Sequence, residues 1–362
     1  MTIATKTLLP VPAFFNPKNA AEFNYAPNAG DLLAAAQTYR AKHAIPTLAG
    51  SLRAKAARVH LLGIDLQKDF CFPQGTLYVG GRSGTGAIDD NVRLAQFIYR
   101  NLGYLTDITT TMDTHFAYQI FFSSFWLDTS GNFVAPFTAI TTAEIRKGTY
   151  VPNPAVCAML GCTYGWLRKQ VEFYCTELER QGKYTLFIWP FHCLLGSAGH
   201  ALAGVIQEAR LFFSFVRGTQ SWAEVKGGHP LTESYSVFKN EVTRSFDGTH
   251  TFGQRNTNLI KTLSASDVVV FAGQAASHCV KSSIDDFLDE IKAQDPTLLQ
   301  KVYVMRDCMS AVTVPDGKGG FFVDNTPDAE AALQKFQAEG MHVVDSTTPM
   351  ADWPDIDGRI AA

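Results

Sequence analysis

Short apolar runs alternate along this chain with segments whose apolar residues recur at a helical period. Val59–Asp65 is a short apolar run of the kind that forms a buried strand, and Tyr104–Thr111 is β-branched and strand-like. Between them, Ile88, Val92, Ala95, Ile98 and Leu102 mark one face of a helix over Ile88–Leu102. Tyr184–Trp189 predicts another strand, followed by a helix over Gly199–Phe212. Asp267–Ala272 is the clearest strand, and the helix after it buries Val280, Ile284, Phe287, Leu288 and Ile291. Lys301–Met305, a helix near Ala329–Glu339 and a strand at His342–Val344 complete the series. Crossovers of this length predict a parallel sheet covered on both faces. Ligands of such sheets bind beyond the carboxyl ends of the strands.

Two stretches depart from the rhythm. Residues 1–55 read as an N-terminal extension, turn-rich around Asn16–Asn19 and Asn24–Gly30 with one helix near Asp31–His43. The main domain is placed at 56–350 and a tail at 351–362. Within the domain, Phe116–Lys183 carries aromatic clusters, prolines and three cysteines between two strands expected in the core. It reads as a large insertion with a helix at Tyr164–Gln181, serving as a lid or an oligomer contact, and the expected assembly is a homo-oligomer. Gly80–Gly86 lacks the G-K-[ST] ending of a phosphate loop and reads as a flexible loop.

Composition narrows the function classes. A hydrophobic content of 46% is ample for a large core, and a net charge of -3 gives no reason to expect nucleic acid or an anionic membrane. No apolar run approaches the roughly 20 residues of a spanning helix. Pro10, Pro12 and Pro17 make the N-terminus a poor signal peptide. Seven cysteines without a pairing pattern favour the cytoplasm, with at least one thiol free for chemistry.

The residues able to do chemistry fall at one edge of the expected sheet. Asp65 ends the first strand, Asp113 and His115 follow the second, His192 follows the run ending at Trp189, and Cys279 lies a short turn beyond Ala272. Cys279 opens a helix, and the helix N-terminus favours a thiolate and aims free N–H groups at an oxyanion. Asp65 is placed to act as an acid/base. Asp113, His115 and His192 form a carboxylate–imidazole set for a metal, with zinc, iron and manganese all suited. Taken singly, each has a blander reading: an inert buried cysteine, a turn-forming aspartate, hydrogen-bonded structural histidines. Lys226 alone reads as a solvated lysine; beside a carboxylate and a thiol it would stabilise a thiolate.

These residues lie in motifs that resemble those of a known family. Gly63-Ile64-Asp65-Leu66-Gln67-Lys68-Asp69-Phe70-Cys71 resembles the D-x-Q-x-D-F signature of nicotinamidases and the wider isochorismatase-like cysteine hydrolases. Asp113-Thr114-His115, Trp189-Pro190-Phe191-His192-Cys193, Lys226-Gly227 and Gly273-Gln274-Ala275-Ala276-Ser277-His278-Cys279 are similar to its metal, lysine and nucleophile motifs, in order, over roughly Val59 to Val344. The resemblance implies an α/β, Rossmann-like three-layer αβα fold with a mainly parallel sheet. It implies a triad of Asp65, Lys226 and Cys279, and one divalent metal ion, zinc first, on Asp113, His115 and His192. It also implies a cis bond between Gln274 and Ala275, an oxyanion hole from the Ala275 and Cys279 amides, and a substrate pocket walled by Phe70 and Trp189. The implied reaction is hydrolysis of a small amide, nicotinamide or a close analogue, through a thioester on Cys279. Alternatives are another small amide or ureide, a non-catalytic metal- or ligand-binding relative, and a phosphate- or dinucleotide-binding protein. The extension, the insertion, Gln274 and Ser277-His278 depart from the family pattern.

Overall fold

The computed structural model describes residues 8–53, 56–182 and 184–360; the ends of the expected extension, insertion and tail at 1–7, 54–55, 183 and 361–362 lie outside them. Six strands form the central sheet: β1 (Val59–Ile64), β2 (Leu105–Asp113), β3 (Trp222–Lys226), β4 (Val268–Gly273), β5 (Val302–Met305) and β6 (His342–Val344). They run β6-β5-β4-β1-β2-β3, every neighbouring pair parallel. This is the α/β three-layer fold expected from the alternation of short apolar runs and amphipathic segments.

Successive side chains on a strand point to opposite faces, so a strand buried on both sides reads as a nearly continuous apolar run. β1, β4 and β5 are fully buried at every position. Their alternate residues feed two cores. Leu62, Ile64, Val269 and Phe271 join one with α5 (Thr257–Ser264), α6 (Cys279–Gln294) and α7 (Thr326–Ala338). Val59, Leu61, Val268 and Val270 join the other with α2 (Gly86–Arg100) and α4 (Gly204–Arg217).

The expected extension packs on the second core. Its helix α1 (Ala29–Lys42) starts where the Asn28 side chain accepts from the Gly30 and Asp31 amides at 2.9 and 3.3 Å, and it buries Leu32 and Ala36. The expected insertion contributes Ile120, Phe121, Phe125, Trp126 and helix α3 (Tyr164–Gln181) to the first core. The C-terminal stretch is anchored by Trp353, buried and stacked on Phe97 and Tyr303 at 5.4 and 5.3 Å between ring centroids.

Several expected elements differ. Tyr184–Trp189 is no core strand: only Leu186–Phe187 pairs, antiparallel with Ala139–Ile140, and the Ile188 and Trp189 amides donate to Thr138 and Phe121. The helix expected at Gly199 begins at Gly204, because the backbone before it bonds to the 66–69 segment: Lys68 N–H to Ala201, Asp69 N–H to Gly199 and Ala203 N–H to Leu66. Gly80–Gly86 forms a turn closed by the Gly86 amide on the Gly80 carbonyl at 2.7 Å. The edge strand β3 was not legible in the sequence, since Trp222 and Val225 are exposed and it has no apolar face. We expect Trp353→Ala to destabilise the protein by about 3 kcal/mol or more, because it removes a buried indole and its stacking. An unchanged urea midpoint would show that the C-terminal stretch does not contribute to the core.

Candidate active site

Parallel strands deliver their last residues to one edge of the sheet. Asp65 follows β1 directly, in a left-handed backbone conformation (φ 45°). Asp113 closes β2 and Lys226 closes β3, and the two are register partners. Cys279 is the first residue of α6, after the turn that follows β4.

Lys226 is the hub of this edge. Its Nζ lies 2.8 Å from Asp65 Oδ2, 3.1 Å from Asp113 Oδ1 and 3.6 Å from the Cys279 sulfur, and it donates to the Ser234 carbonyl at 3.0 Å. It is not the solvated lysine that its sequence neighbours suggest: only 7% of it is exposed. Burial opposes its charge, but Asp113 and Asp65 hold the ammonium well above its ordinary pKa. Asp65 is fully buried, and burial raises its carboxyl despite Lys226. Thr111 donates from its hydroxyl to Asp65 Oδ1 and accepts from the Asp65 amide at 2.9 Å.

The nucleophile turn reads differently from the sequence in one respect. A helix N-terminus was expected to favour the thiolate. Burial instead pushes the Cys279 thiol well up, with Lys226 pulling the other way. The resting group is a thiol facing Asp65, a carboxyl whose own affinity for a proton is raised. The turn contains a cis peptide between Gln274 and Ala275. Gln274 is fully buried: its amide donates to Asp90 Oδ2 at 2.9 Å and its oxygen accepts from the Ser310 amide at 3.2 Å. Among the described residues, the Ala275 and Cys279 amides donate to no backbone carbonyl.

Asp113, His115 and His192 bring one ligand atom each to within 4.8 Å of one another, all three buried. Each imidazole is oriented by a backbone carbonyl on its far nitrogen: His115 Nδ1 to Gly227 at 3.0 Å, His192 Nδ1 to Pro190 at 2.8 Å. The Nε2 atoms turn toward Asp113: that of His115 lies 2.9 Å from Asp113 Oδ2, a hydrogen-bond distance, and that of His192 lies 3.7 Å away. Burial opposes the charge of Asp113, yet His115 and Lys226 hold its carboxyl well below the usual range, while burial lowers His115. Anion and neutral imidazole are the forms that bind metals. The donor set therefore fits a divalent ion with positions left open.

Some participants escaped the sequence reading. Gln67, fully buried, ties the edge together: its Nε2 donates to the Asp113 and His200 carbonyls at 2.7 and 2.9 Å, and its Oε1 accepts from the Asp113 amide at 2.7 Å. Asp69 accepts from the Cys193 amide at 2.7 Å and so fixes the loop that carries His192. Phe121 and Phe122 set their rings against His115 at 4.8 and 5.6 Å. The spacing of Gln67 and Asp69 after Asp65 was a usable signal; the two phenylalanines gave none. Of the expected pocket residues, Phe70 packs on His192 at 5.5 Å and Trp189 on His278 at 5.5 Å, with the Trp189 indole N–H donating to Tyr235 at 2.9 Å.

The chain is similar to nicotinamidases. The nicotinamidase–pyrazinamidase of Acinetobacter baumanii shares 18% identity over 81% of this chain and 97% of its own, with a TM-score of 0.46. Yeast nicotinamidase shares 19% over 80% and 99%, with a TM-score of 0.47. The pyrazinamidase of Pyrococcus horikoshii, solved in complex with zinc, shares 18% over 80% and 99%, with a TM-score of 0.40. No family model and no curated protein matches the chain. Likeness this distant carries nothing about activity. Among the described residues, no helix is long and apolar enough to cross a membrane.

Gly227 offers a test of the metal site. It has φ 84°, and a Cβ there would lie 2.5 Å from Asp113 Oδ1 and 2.6 Å from His115 Cε1. Gly227→Ala is expected to weaken divalent-metal binding by about tenfold or more in competition with a chromophoric chelator. Equal affinity in a variant with unchanged circular dichroism would contradict the proposed ligand set.

Proposed function

We propose that this protein is a cysteine amidohydrolase of the nicotinamidase-like, isochorismatase-like kind, cleaving the carbon–nitrogen bond of a small amide. The observation that carries this reading is the buried ammonium of Lys226, within 3.6 Å of a thiol and paired with two carboxylates, at the edge of the sheet where a metal-ligand set also converges. A structural lysine needs one partner; this one joins a candidate nucleophile, a candidate base and a candidate ligand.

Asp65 accepts the proton of the Cys279 thiol as sulfur attacks the carbonyl carbon. The nascent thiolate and the tetrahedral oxyanion form beside Lys226 and the free Ala275 and Cys279 amides, which stabilise them. Asp65 then passes its proton to the departing ammonia, leaving a thioester on Cys279. Water hydrolyses the thioester with Asp65 as base, and the thiol is restored. Asp113, His115 and His192 hold one divalent ion, proposed as zinc, with iron and manganese also suited to these donors. When bound, the ion supplies Lewis acidity and orients substrate or water. Phe70 and Trp189 serve as pocket walls. Nicotinamide is the proposed first substrate, and a non-catalytic metal-binding protein is the competing reading. We further propose a cytoplasmic location and a homo-oligomeric assembly, the latter suggested by the size of the insertion.

Two measurements decide the matter. Metal-replete protein is expected to release ammonia from nicotinamide, and Cys279→Ala to lower the rate by about a thousandfold or more. Turnover that survives the substitution would rule out thioester chemistry. The second is the pH profile. Asp65 must be ionised to accept the thiol proton, and its carboxyl is raised, so activity falls as pH drops through its folded-state value. That limb should lie above the ordinary aspartate value of about 4. An acid limb at or below that value would remove Asp65 from the role of base.

A further inference from the structure

The catalytic groups are almost closed off from solvent: Asp65 is 0% exposed, and Lys226 and Cys279 are 7% exposed. Beside them lies a cavity of about 510 Å³. It comes within one residue of the catalytic groups from two directions. His278 lines it and precedes Cys279; Tyr235 lines it and follows Ser234, whose carbonyl takes a hydrogen bond from Lys226.

Its inner wall is aromatic. Trp189 and Tyr235 pack edge-on against the His278 ring at 5.5 and 5.4 Å, and Tyr184 packs against Tyr235 at 4.8 Å. Among the described residues, the imidazole hydrogen-bonds only to its neighbour, Ser277, at 2.8 Å. The Trp189 indole N–H donates to the Tyr235 hydroxyl at 2.9 Å, so those two rings hold each other, and of the three it is the His278 ring that can turn aside without breaking a hydrogen bond to another element. The outer wall is ionic: Asp285 bridges Lys281 at 3.1 Å and Lys335 at 2.6 Å, joining α6 to α7. A cavity within the range of about 300–1,000 Å³ that holds drug-sized ligands is far larger than a single-ring amide requires.

We propose that this cavity binds the non-reacting body of the substrate, an aromatic system larger than one ring with a polar outer end, whose amide reaches Cys279 past the Trp189, Tyr235 and His278 rings. The aromatic wall offers stacking surface, and the Lys281–Asp285–Lys335 bridge offers donors and an acceptor to a dipolar end. This rests on Cys279 being the nucleophile, as proposed above.

Alkylation of Cys279, followed by peptide mass spectrometry, tests the cavity without requiring turnover. The sulfur displaces iodide from iodoacetamide or from N-(1-naphthyl)iodoacetamide, forming a carbon–sulfur bond with loss of iodide and the thiol proton. Rates are normalised to those of free N-acetylcysteine. The naphthyl reagent is expected to react about tenfold faster at Cys279 than iodoacetamide. Ala331, exposed on α7, lines the outer rim. Ala331→Trp should fill the rim and lower the naphthyl-to-iodoacetamide ratio about tenfold. No preference in the wild type, or a ratio unmoved by Ala331→Trp, overturns the proposal. Ammonia release from nicotinamide and 2-naphthamide separates the two readings. A naphthyl preference without ammonia from either amide leaves the cavity assigned and removes amide hydrolysis. Ammonia from both with no preference in either assay removes the cavity alone.

Discussion

A lysine ammonium inside a protein is stable only where its charge is answered, and the arrangement around Lys226 follows from that constraint. Two carboxylates answer it, Asp65 from β1 and Asp113 from β2, and the three strand ends must therefore lie side by side. The same ammonium sits against the Cys279 sulfur, while Asp113 also belongs to the metal-ligand set. A single charge thus joins the candidate nucleophile, the candidate base and the candidate metal-ligand set. It holds Asp113 ionised, whereas burial leaves Asp65 raised and close to a thiol that is itself raised.

The surroundings are built to keep that edge in place. Gln67 bonds Asp113 at both its amide and its carbonyl and also bonds His200. Asp69 holds the loop that presents His192, and Gly199 must be glycine because a Cβ there would meet the Asp69 carboxylate at 2.1 Å. On the opposite side, Asp90 collects Gln274, Ser310 and Arg93, fixing the turn before Cys279 from beneath. None of these positioning groups is exposed to more than 6% where it acts from the interior, as Gln67, Asp69, Asp90 and Gln274 do. A water-filled edge would screen each of these bonds; the dry one preserves their geometry.

Much of this was legible along the chain. The apolar runs β4 and β5, β1 with His60 as its one polar residue, and the amphipathic helix after β4 announce themselves because both strand faces and one helix face must be buried. Asp65 and Cys279 could be placed at one edge because each comes after such a strand, and Asp113 and His115 because they come at the end of the β-branched β2. β3 could not, since an edge strand with exposed Trp222 and Val225 has no periodic signature, and its terminal lysine looked like a surface residue. Tyr184–Trp189 misled in the opposite sense: it is apolar because it packs against the insertion, not because it enters the sheet.

The sequence by itself determined the residue types at the strand ends, the order of the elements and hence the three-layer fold. Those depend on local period and on which residues precede which turns. Tertiary structure alone decided that Lys226 stands between Asp65, Asp113 and Cys279, that burial raises the thiol where a helix N-terminus would lower it, and that an aromatic cavity lined by His278 lies one residue from Cys279. Each of these depends on distances between segments far apart in the chain and on the water excluded when they meet, and neither is written in the spacing of residues along one strand.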